Sequence, residues 1–146
     1  VNPMAKERVF GLREVTGFSM PGDEDNYVSR MLIDFESVGA KKINVNHGTV
    51  RRGKSLSGGK HPCPHDEVYY ILRGEGLLTI EDKTYEVGPD TVAYIRCEEY
   101  HRLENTGNTD LEILTIWSLP IQKGANPLYD ERKRLWGTTF KRIGDS

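Results

Sequence analysis

Short segments that alternate apolar and polar residues follow one another along most of this chain, with turn residues between them. In the segment 27–36, Met31, Ile33 and Phe35 share one parity, which predicts a strand with one buried face. Further strands are predicted at 42–50, 67–72, 76–81, 83–87, 91–95, 101–106 and 111–118. The Gly-, Ser- and Lys-rich stretch 51–60 predicts a loop. About eight short strands in one small domain favour an all-β sandwich or barrel.

The length of 146 residues suits one domain with one core. We expect an N-terminal arm at 1–26, the barrel at 27–118 and a C-terminal segment at 119–146. Within the last segment, Asn126 is expected to cap a short helix over about 127–136.

Composition excludes several classes of partner. The chain carries 20 basic and 22 acidic residues, a formal net charge of −2, so neither nucleic acid nor an anionic membrane is an expected partner. No apolar run approaches the roughly 20 residues of a membrane-spanning helix, and no signal-peptide pattern opens the chain. The two cysteines are not expected to form a disulfide framework, which favours a soluble protein in the reducing cytoplasm.

Four metal-capable side chains occupy every second position of one segment: His61, Cys63, His65 and Glu67. In an extended backbone such positions share a face, so their side chains would converge. Imidazole, thiol and carboxylate are the groups that bind transition metals. A further histidine, His101, opens a later predicted strand. The sequence therefore predicts a metal site.

With these residues the chain resembles the cupins, which are small metal-binding β-barrel proteins with a double-stranded β-helix or jelly-roll fold. Their first motif reads G-x5-H-x-H-x3/4-E-x6-G. His61 and Glu67 match its first histidine and its glutamate, and Gly74 follows Glu67 at the required spacing. Cys63 stands where the family has its second histidine, with His65 two residues later.

The end of the second cupin motif, G-x5-P-x-G-x2-H-x3-N, is matched by His101 and Asn105. Arg96 and Glu98 replace its proline and second glycine. The resemblance spans residues 27–118 and implies one divalent transition metal, Fe, Mn, Zn or Ni, inside the barrel.

The resemblance also implies which side chains hold that metal. It assigns His61, Glu67 and His101 as ligands, and either His65 or Cys63 supplies the remaining donor. Two histidines and one carboxylate are also typical of open-sided Fe(II) sites.

Three other residues are candidates for work on a substrate. His47 shares the apolar parity of its predicted strand and is a candidate proton carrier, or else a hydrogen-bonded core residue. Tyr69 has the parity of Glu67, so it would line the same cavity as a proton donor or pack there as an aromatic side chain. Arg96 could bind a substrate carboxylate, or lie at the rim in a surface ion pair with Glu98.

These features favour a metal-dependent enzyme that performs isomerase or lyase chemistry on a small-molecule substrate, a hydroxy acid, keto acid or sugar derivative. One alternative is an Fe(II)-dependent dioxygenase of the cupin type. A second is a non-catalytic module that binds a metabolite or sugar. A homodimer is expected as well, because apolar residues such as Phe10, Phe18 and Trp136 lie outside the predicted barrel.

Overall fold

The computed structural model describes residues 7–118, 123–124 and 126–145. Within them the strands are β1 (Tyr27–Ile33), β2 (Asn44–Val50), β3 (Ser55–Gly59), β4 (Glu67–Arg73), β5 (Gly76–Ile80), β6 (Lys83–Val87), β7 (Val92–Ile95), β8 (His101–Asn105) and β9 (Leu111–Trp117). Two helices, α1 (Phe35–Val38) and α2 (Pro127–Trp136), complete the described elements, apart from one 3-10 turn at Leu12–Glu14.

The strands form two antiparallel sheets, with the orders β1-β2-β9-β4-β7 and β3-β8-β5-β6. Apolar side chains from both sheets form one core cluster, which includes Ile71, Leu78, Leu103 and Ile113. Each of these four is at most 1 % exposed. The expectation of an all-β jelly-roll barrel with one short C-terminal helix is confirmed.

The predicted loop at 51–60 instead contains strand β3. This strand pairs with β8, where Ser55 lies opposite Glu104. Glycine is required here because a Cβ atom at Gly58 would overlap the ring of Tyr100. Pairing with a neighbouring strand therefore outweighs the weak strand propensity of a Gly- and Ser-rich segment.

Helix α2 begins and ends where the sequence predicts. The Asn126 side chain accepts hydrogen bonds from the backbone N–H groups of Leu128 and Tyr129, at 3.0 and 3.3 Å. The helix stops at Gly137, whose φ of 71° lies in the left-handed region that glycine tolerates. No helix in the described part of the chain is long and apolar enough to cross a membrane.

The terminal segments fold back on their own barrel. Phe18 forms a backbone bridge with Ser29 of β1, and its ring lies 5.1 Å from that of Trp136. The ring of Phe10 lies 6.1 Å from that of Phe140. The reason given above for a homodimer is therefore wrong, since one chain covers these aromatic groups by itself. The homodimer remains a prediction.

Candidate metal centre

Three of the expected metal ligands meet at one end of the barrel. Glu67 is the first residue of β4 and His101 the first of β8, so the two opposed sheets each supply one ligand. His61 lies in the loop that enters β4. One donor atom of each residue lies within 4.8 Å of the other two.

The donor atoms lie within hydrogen-bond distance of one another, but in poor hydrogen-bond geometry. His61 Nε2 lies 3.2 Å from Glu67 Oε1, and His101 Nε2 lies 3.0 Å from the same oxygen. Nevertheless, Glu67 Oε1 is buried and accepts no hydrogen bond of normal geometry from the described residues. Two imidazole nitrogens and one carboxylate oxygen in this arrangement fit a cation between them.

The protonation of the site also suits a metal. Burial raises the pKa of the Glu67 carboxyl, but His101 and His61 outweigh it and bring that pKa below 4.5, so the group is a carboxylate. His101 Nδ1 lies 3.0 Å from the carbonyl oxygen of Glu99, which can only accept. The Nδ1–H therefore donates to this carbonyl, and in the neutral ring Nε2 keeps a lone pair that faces Glu67.

His65, the expected fourth ligand, lies next to this group but outside it. Its side chain is only 3 % exposed, and neither ring nitrogen has a hydrogen-bond partner among the described residues. Burial lowers its pKa below 6.5, and the nearby His61 lowers it further, so the ring is neutral at neutral pH. The structure does not bring its donor atoms into the cluster of His61, Glu67 and His101.

The possibility that Cys63 replaces His65 as a ligand is contradicted, because Cys63 forms a disulfide with Cys97. Their Cα atoms are 4.8 Å apart, within the usual range for this bond. The sequence hid the pair because the partners are 34 residues apart. Antiparallel pairing of β4 with β7, which sets Glu67 opposite Ile95, brings the two loops together. The disulfide also removes the argument for a reducing compartment.

A cavity of about 470 Å³ opens beside the three donor atoms. Its strand walls include Asn46, Tyr69, Thr115 and Trp117, and residues of the N-terminal arm and the start of α2 complete the lining. In the sheet register Tyr69 and Asn46 both lie opposite Thr115, which sets all three side chains on the inner face. The volume is in the range of small-molecule sites.

Tyr69 occupies this cavity wall beside the metal centre. Its ring lies 5.7 Å from the ring of His101. Burial and the negative charge of Glu67 hold the pKa of the Tyr69 phenol well above 10. The hydroxyl therefore keeps its proton and can act as a donor towards a ligand.

His47 does not face the cavity, contrary to the expectation from its parity. Its neighbour Asn46 lines the cavity, so the alternation of the strand turns His47 to the opposite face. There its Nε2 lies 3.1 Å from Glu112 Oε1. Both faces of β2 are buried, so apolar alternation could not identify the inner one.

Arg96 is not a cavity residue either. Its side chain is 73 % exposed, and its Nε lies 3.7 Å from Glu99 Oε1. The surface ion pair expected as the alternative does form, with Glu99 as the partner instead of Glu98.

Sequence reasoning missed most of the cavity lining, including the strand residues Tyr27, Asn46, Thr115 and Trp117. Asn44 and Asn46 share one parity with Lys42, and alternating polar residues normally mark the solvent-facing side of a strand. The sequence therefore carried no signal that Asn46 faces the cavity. Thr115 and Trp117 could not be recognised as cavity residues, because their strand is apolar at both odd and even positions and gives no sign of its inner face.

A family model described as the cupin domain matches residues 46–117. This chain is a cupin. The matched range contains the three converging ligands and most strands of both sheets.

The crystal structure of a predicted oxalate decarboxylase from Thermotoga maritima is similar to this cupin, with a TM-score of 0.67 and 28 % identity. The match covers 77 % of this chain and 99 % of that one. An oxalate-binding protein of the same organism is 44 % identical over 50 residues, which are 34 % of this chain and 41 % of the relative.

An uncharacterised protein of Methanocaldococcus jannaschii is 43 % identical over 49 residues, which cover 34 % of this chain and 39 % of the relative. The chain thus matches about two fifths of the length of these two curated relatives.

Proposed function

We propose that this cupin is a metal-dependent enzyme that binds a small oxygen-rich organic acid and performs isomerase or lyase chemistry on it. The convergence of His61, Glu67 and His101 at the wall of a cavity of about 470 Å³ carries this proposal. The two relatives from Thermotoga maritima, named for oxalate, support an acid as the ligand.

Charge also favours an acid. Among His61, Glu67 and His101, only Glu67 is negatively charged, so a bound divalent cation leaves the centre with a net positive charge. When bound, the metal would polarise ligand oxygens as a Lewis acid. An anionic ligand is then attracted electrostatically, while a cationic one is repelled.

Tyr69 is the proposed proton donor. Its phenol lies in the cavity wall next to His101 and stays protonated at neutral pH. A donor in this position can give a hydrogen bond or a proton to a ligand oxygen on which charge develops. His47, which faces away from the cavity, has no part in this step.

His65 is the proposed fourth ligand. A buried, neutral imidazole without a hydrogen-bond partner among the described residues has two nitrogens available, and it lies next to His61. Burial of such a polar group is unfavourable unless it gains a partner, which a metal would provide.

The proposal is tested by loading the protein separately with Fe(II), Mn(II), Zn(II) and Ni(II) and incubating each form with pooled hydroxy, keto and sugar acids. Proton NMR would follow the consumption of any acid. We expect turnover of at least one acid by a loaded form. Tyr69→Phe should lower that rate by about 100-fold or more at unchanged metal content, since general acid catalysis contributes at least that factor.

His47→Gln is the matched control, because it changes a buried polar residue on the outer face. It should keep both metal and rate. Turnover that is unaffected by Tyr69→Phe would exclude the assigned proton donor, and absence of metal from the wild type would exclude the whole proposal.

A binding module is the second candidate, and the relative named as an oxalate-binding protein favours it. Thermal stabilisation of the loaded protein by an acid, without consumption of that acid, would select this candidate. O₂ uptake by the Fe(II)-loaded protein, and by no other metal-loaded form, would select the dioxygenase alternative.

The homodimer is proposed through the outward face of β4 and β7. Leu72, Val92 and Tyr94 are 40, 64 and 56 % exposed on this face, which is unusual for apolar side chains of adjacent strands. Val92→Lys should convert a dimer to a monomer in sedimentation velocity. A monomeric wild type at micromolar concentration would contradict the proposal.

A further inference from the structure

The cavity has a second polar wall, formed by Tyr27 and Asn46, away from the metal ligands. Asn46 Nδ2 lies 3.4 Å from the Tyr27 hydroxyl, and both residues line the cavity. Asn46 is on β2 and Glu67 on β4, with β9 between them. Their strands are therefore roughly 10 Å apart across the sheet, and the two residues are also offset by two positions along the strands, because Asn46 lies opposite Thr115 and Glu67 opposite Trp117.

A chain of hydrogen bonds fixes the orientation of the Asn46 amide. Arg132 of α2 donates from Nη2 to the Ser29 hydroxyl oxygen, and a guanidinium can only donate. The Ser29 hydroxyl then donates to Asn46 Oδ1, at 2.5 Å. Because the amide oxygen is thus engaged behind the wall, the NH₂ group of Asn46 is the end turned towards Tyr27.

Arg132 is an unusual residue for this position. Its side chain is among the largest fully buried ones in the described structure, at 1 % exposure, and its Nε and Nη1 have no hydrogen-bond partner among the described residues. The guanidinium carbon lies 5.4 Å from the centroid of the Phe18 ring. A hydrophobic side chain of similar volume would fill this space at lower desolvation cost. Packing therefore does not explain the arginine, whereas its hydrogen bond to Ser29 and its attraction to the buried Asp34 carboxylate do.

The position of Tyr27 in this wall depends on Gly48, which lies between Asn46 and Val50 on β2. A Cβ atom at Gly48 would overlap the Tyr27 side chain. The absence of a Cβ atom therefore lets Tyr27 pack against this glycine, with its hydroxyl beside Asn46. Tyr27 and Asn46 thus build one wall that presents a phenol and an NH₂ group to the cavity.

We infer that Asn46 and Tyr27 bind the distal oxygen of a ligand whose other end is held at the metal centre, and that Arg132 acts through Ser29 as the positioning residue for Asn46. This inference rests on the proposed function and narrows its ligand. An open-chain hydroxy or keto acid of roughly four to six carbon atoms can reach both walls across the roughly 10 Å sheet separation. A two-carbon diacid such as oxalate is too short to do so.

Calorimetry on the Zn(II)-loaded protein tests this, with oxalate, tartrate and galactarate as probes of increasing length. The wild type should bind tartrate or galactarate at least about tenfold more tightly than oxalate, as expected for the gain of one or two hydrogen bonds. Asn46→Asp, which replaces the donor by a carboxylate, should weaken the longer acids more than oxalate and so remove that preference, although its added charge repels every anionic probe.

Ser29→Ala and Arg132→Met should reduce the preference for the longer acids over oxalate by smaller factors than Asn46→Asp does. In these two variants the Asn46 amide loses the contacts that fix its orientation. Asn108→Asp, in an exposed turn, controls for added charge. Arg134→Met, exposed on the same helix, controls for the loss of an arginine. Both controls should keep the wild-type ratio between probes, and the metal content of every variant should equal that of the wild type.

The outcomes separate the two proposals. Wild-type protein that binds Zn(II) and oxalate but prefers oxalate over the longer acids would overturn this inference and leave the proposed function standing. This inference would also be overturned, with the proposed function still standing, if Asn46→Asp weakened the binding of all three acids equally. It would likewise be overturned if the wild type bound Zn(II) but none of the three acids. If Zn(II) does not bind, the same titrations use whichever of Fe(II), Mn(II) or Ni(II) does, and binding of none of the four metals would overturn both proposals. The wild-type ratio decides the question even if a variant fails to fold.

Discussion

The two ends of the cavity are built in different ways. At the metal end, His61 and Glu67 are six residues apart in one motif, and His101 starts a strand of the opposite sheet. At the far end, Arg132 contacts Ser29 across 103 residues, and Ser29 contacts Asn46 across 17. The metal end therefore depends on local spacing, while the far end depends on where helix α2 docks.

This difference suggests separate roles for the two ends: the reaction would take place at the metal end, and the far end would determine which ligand binds. In the proposed function, a bound metal would supply positive charge and a centre for oxygen ligands, which many acids can use. The far end would supply directional hydrogen-bond donors, which only a ligand of suitable length can use. We therefore expect changes at the metal end to abolish function, and changes at the far end to alter the preference among ligands.

The largest effect is expected from His101→Ala. Loss of one ligand should weaken metal binding by more than about 100-fold, because residues that merely orient ligands already contribute 10- to 100-fold. The thermal stabilisation that added metal gives the wild type should disappear. His47→Ala, on the outer face, is the matched control in calorimetric titrations. Equal metal affinity in both variants would show that His101 is not a ligand.

The next effect is on stability alone. Replacement of both Cys63 and Cys97 by serine removes a covalent cross-link between residues 34 positions apart. Because the unfolded chain then gains conformational freedom, the free energy of unfolding should fall by about 3–4 kcal/mol. Urea denaturation of the metal-free proteins measures this. Metal affinity should change little, since neither sulfur is a ligand. Loss of metal in the double variant would show that the disulfide holds the two ligand loops in place.

His65→Ala tests the fourth ligand and should have a smaller effect than His101→Ala. We expect metal affinity to fall by about 10- to 100-fold, the range for residues that support a metal site. Metal affinity within twofold of the wild type would leave His65 as a buried neighbour of the site.

The smallest effect concerns pH. In the metal-free protein, burial lowers the pKa of His101, but the Glu67 carboxylate outweighs it and raises the pKa above 6.5. The charged pair then stabilises the metal-free fold below about pH 6.5, and this contribution is lost as pH rises through the raised pKa. Metal requires the neutral ring, so metal affinity should rise over the same window, by up to about tenfold per pH unit.

Melting temperatures with and without Zn(II), measured from pH 5.5 to 8, check this. The stabilisation by metal should widen as pH rises. A constant difference over that range would mean that His101 does not exchange its proton for the metal.

Most of the barrel could be predicted from the sequence, because strand alternation and turn residues are local signals. Strand β3 could not, since its pairing with β8 compensates for a Gly- and Ser-rich composition. The inner face of β2 was assigned wrongly because both of its faces are buried, and the polar residue Asn46 is the one that faces the cavity. The disulfide and the Arg132 chain depend on long-range contacts, for which a single sequence carries no signal.

We propose that His61, Glu67 and His101 hold one divalent metal at the cavity wall. Anomalous X-ray diffraction from crystals of protein purified without a metal-affinity step tests this most directly. We expect one strong anomalous peak within about 2.0–2.2 Å of an imidazole nitrogen of His61, of an imidazole nitrogen of His101 and of a Glu67 carboxylate oxygen. Crystals soaked in Zn(II) that show no peak between these three residues would contradict it.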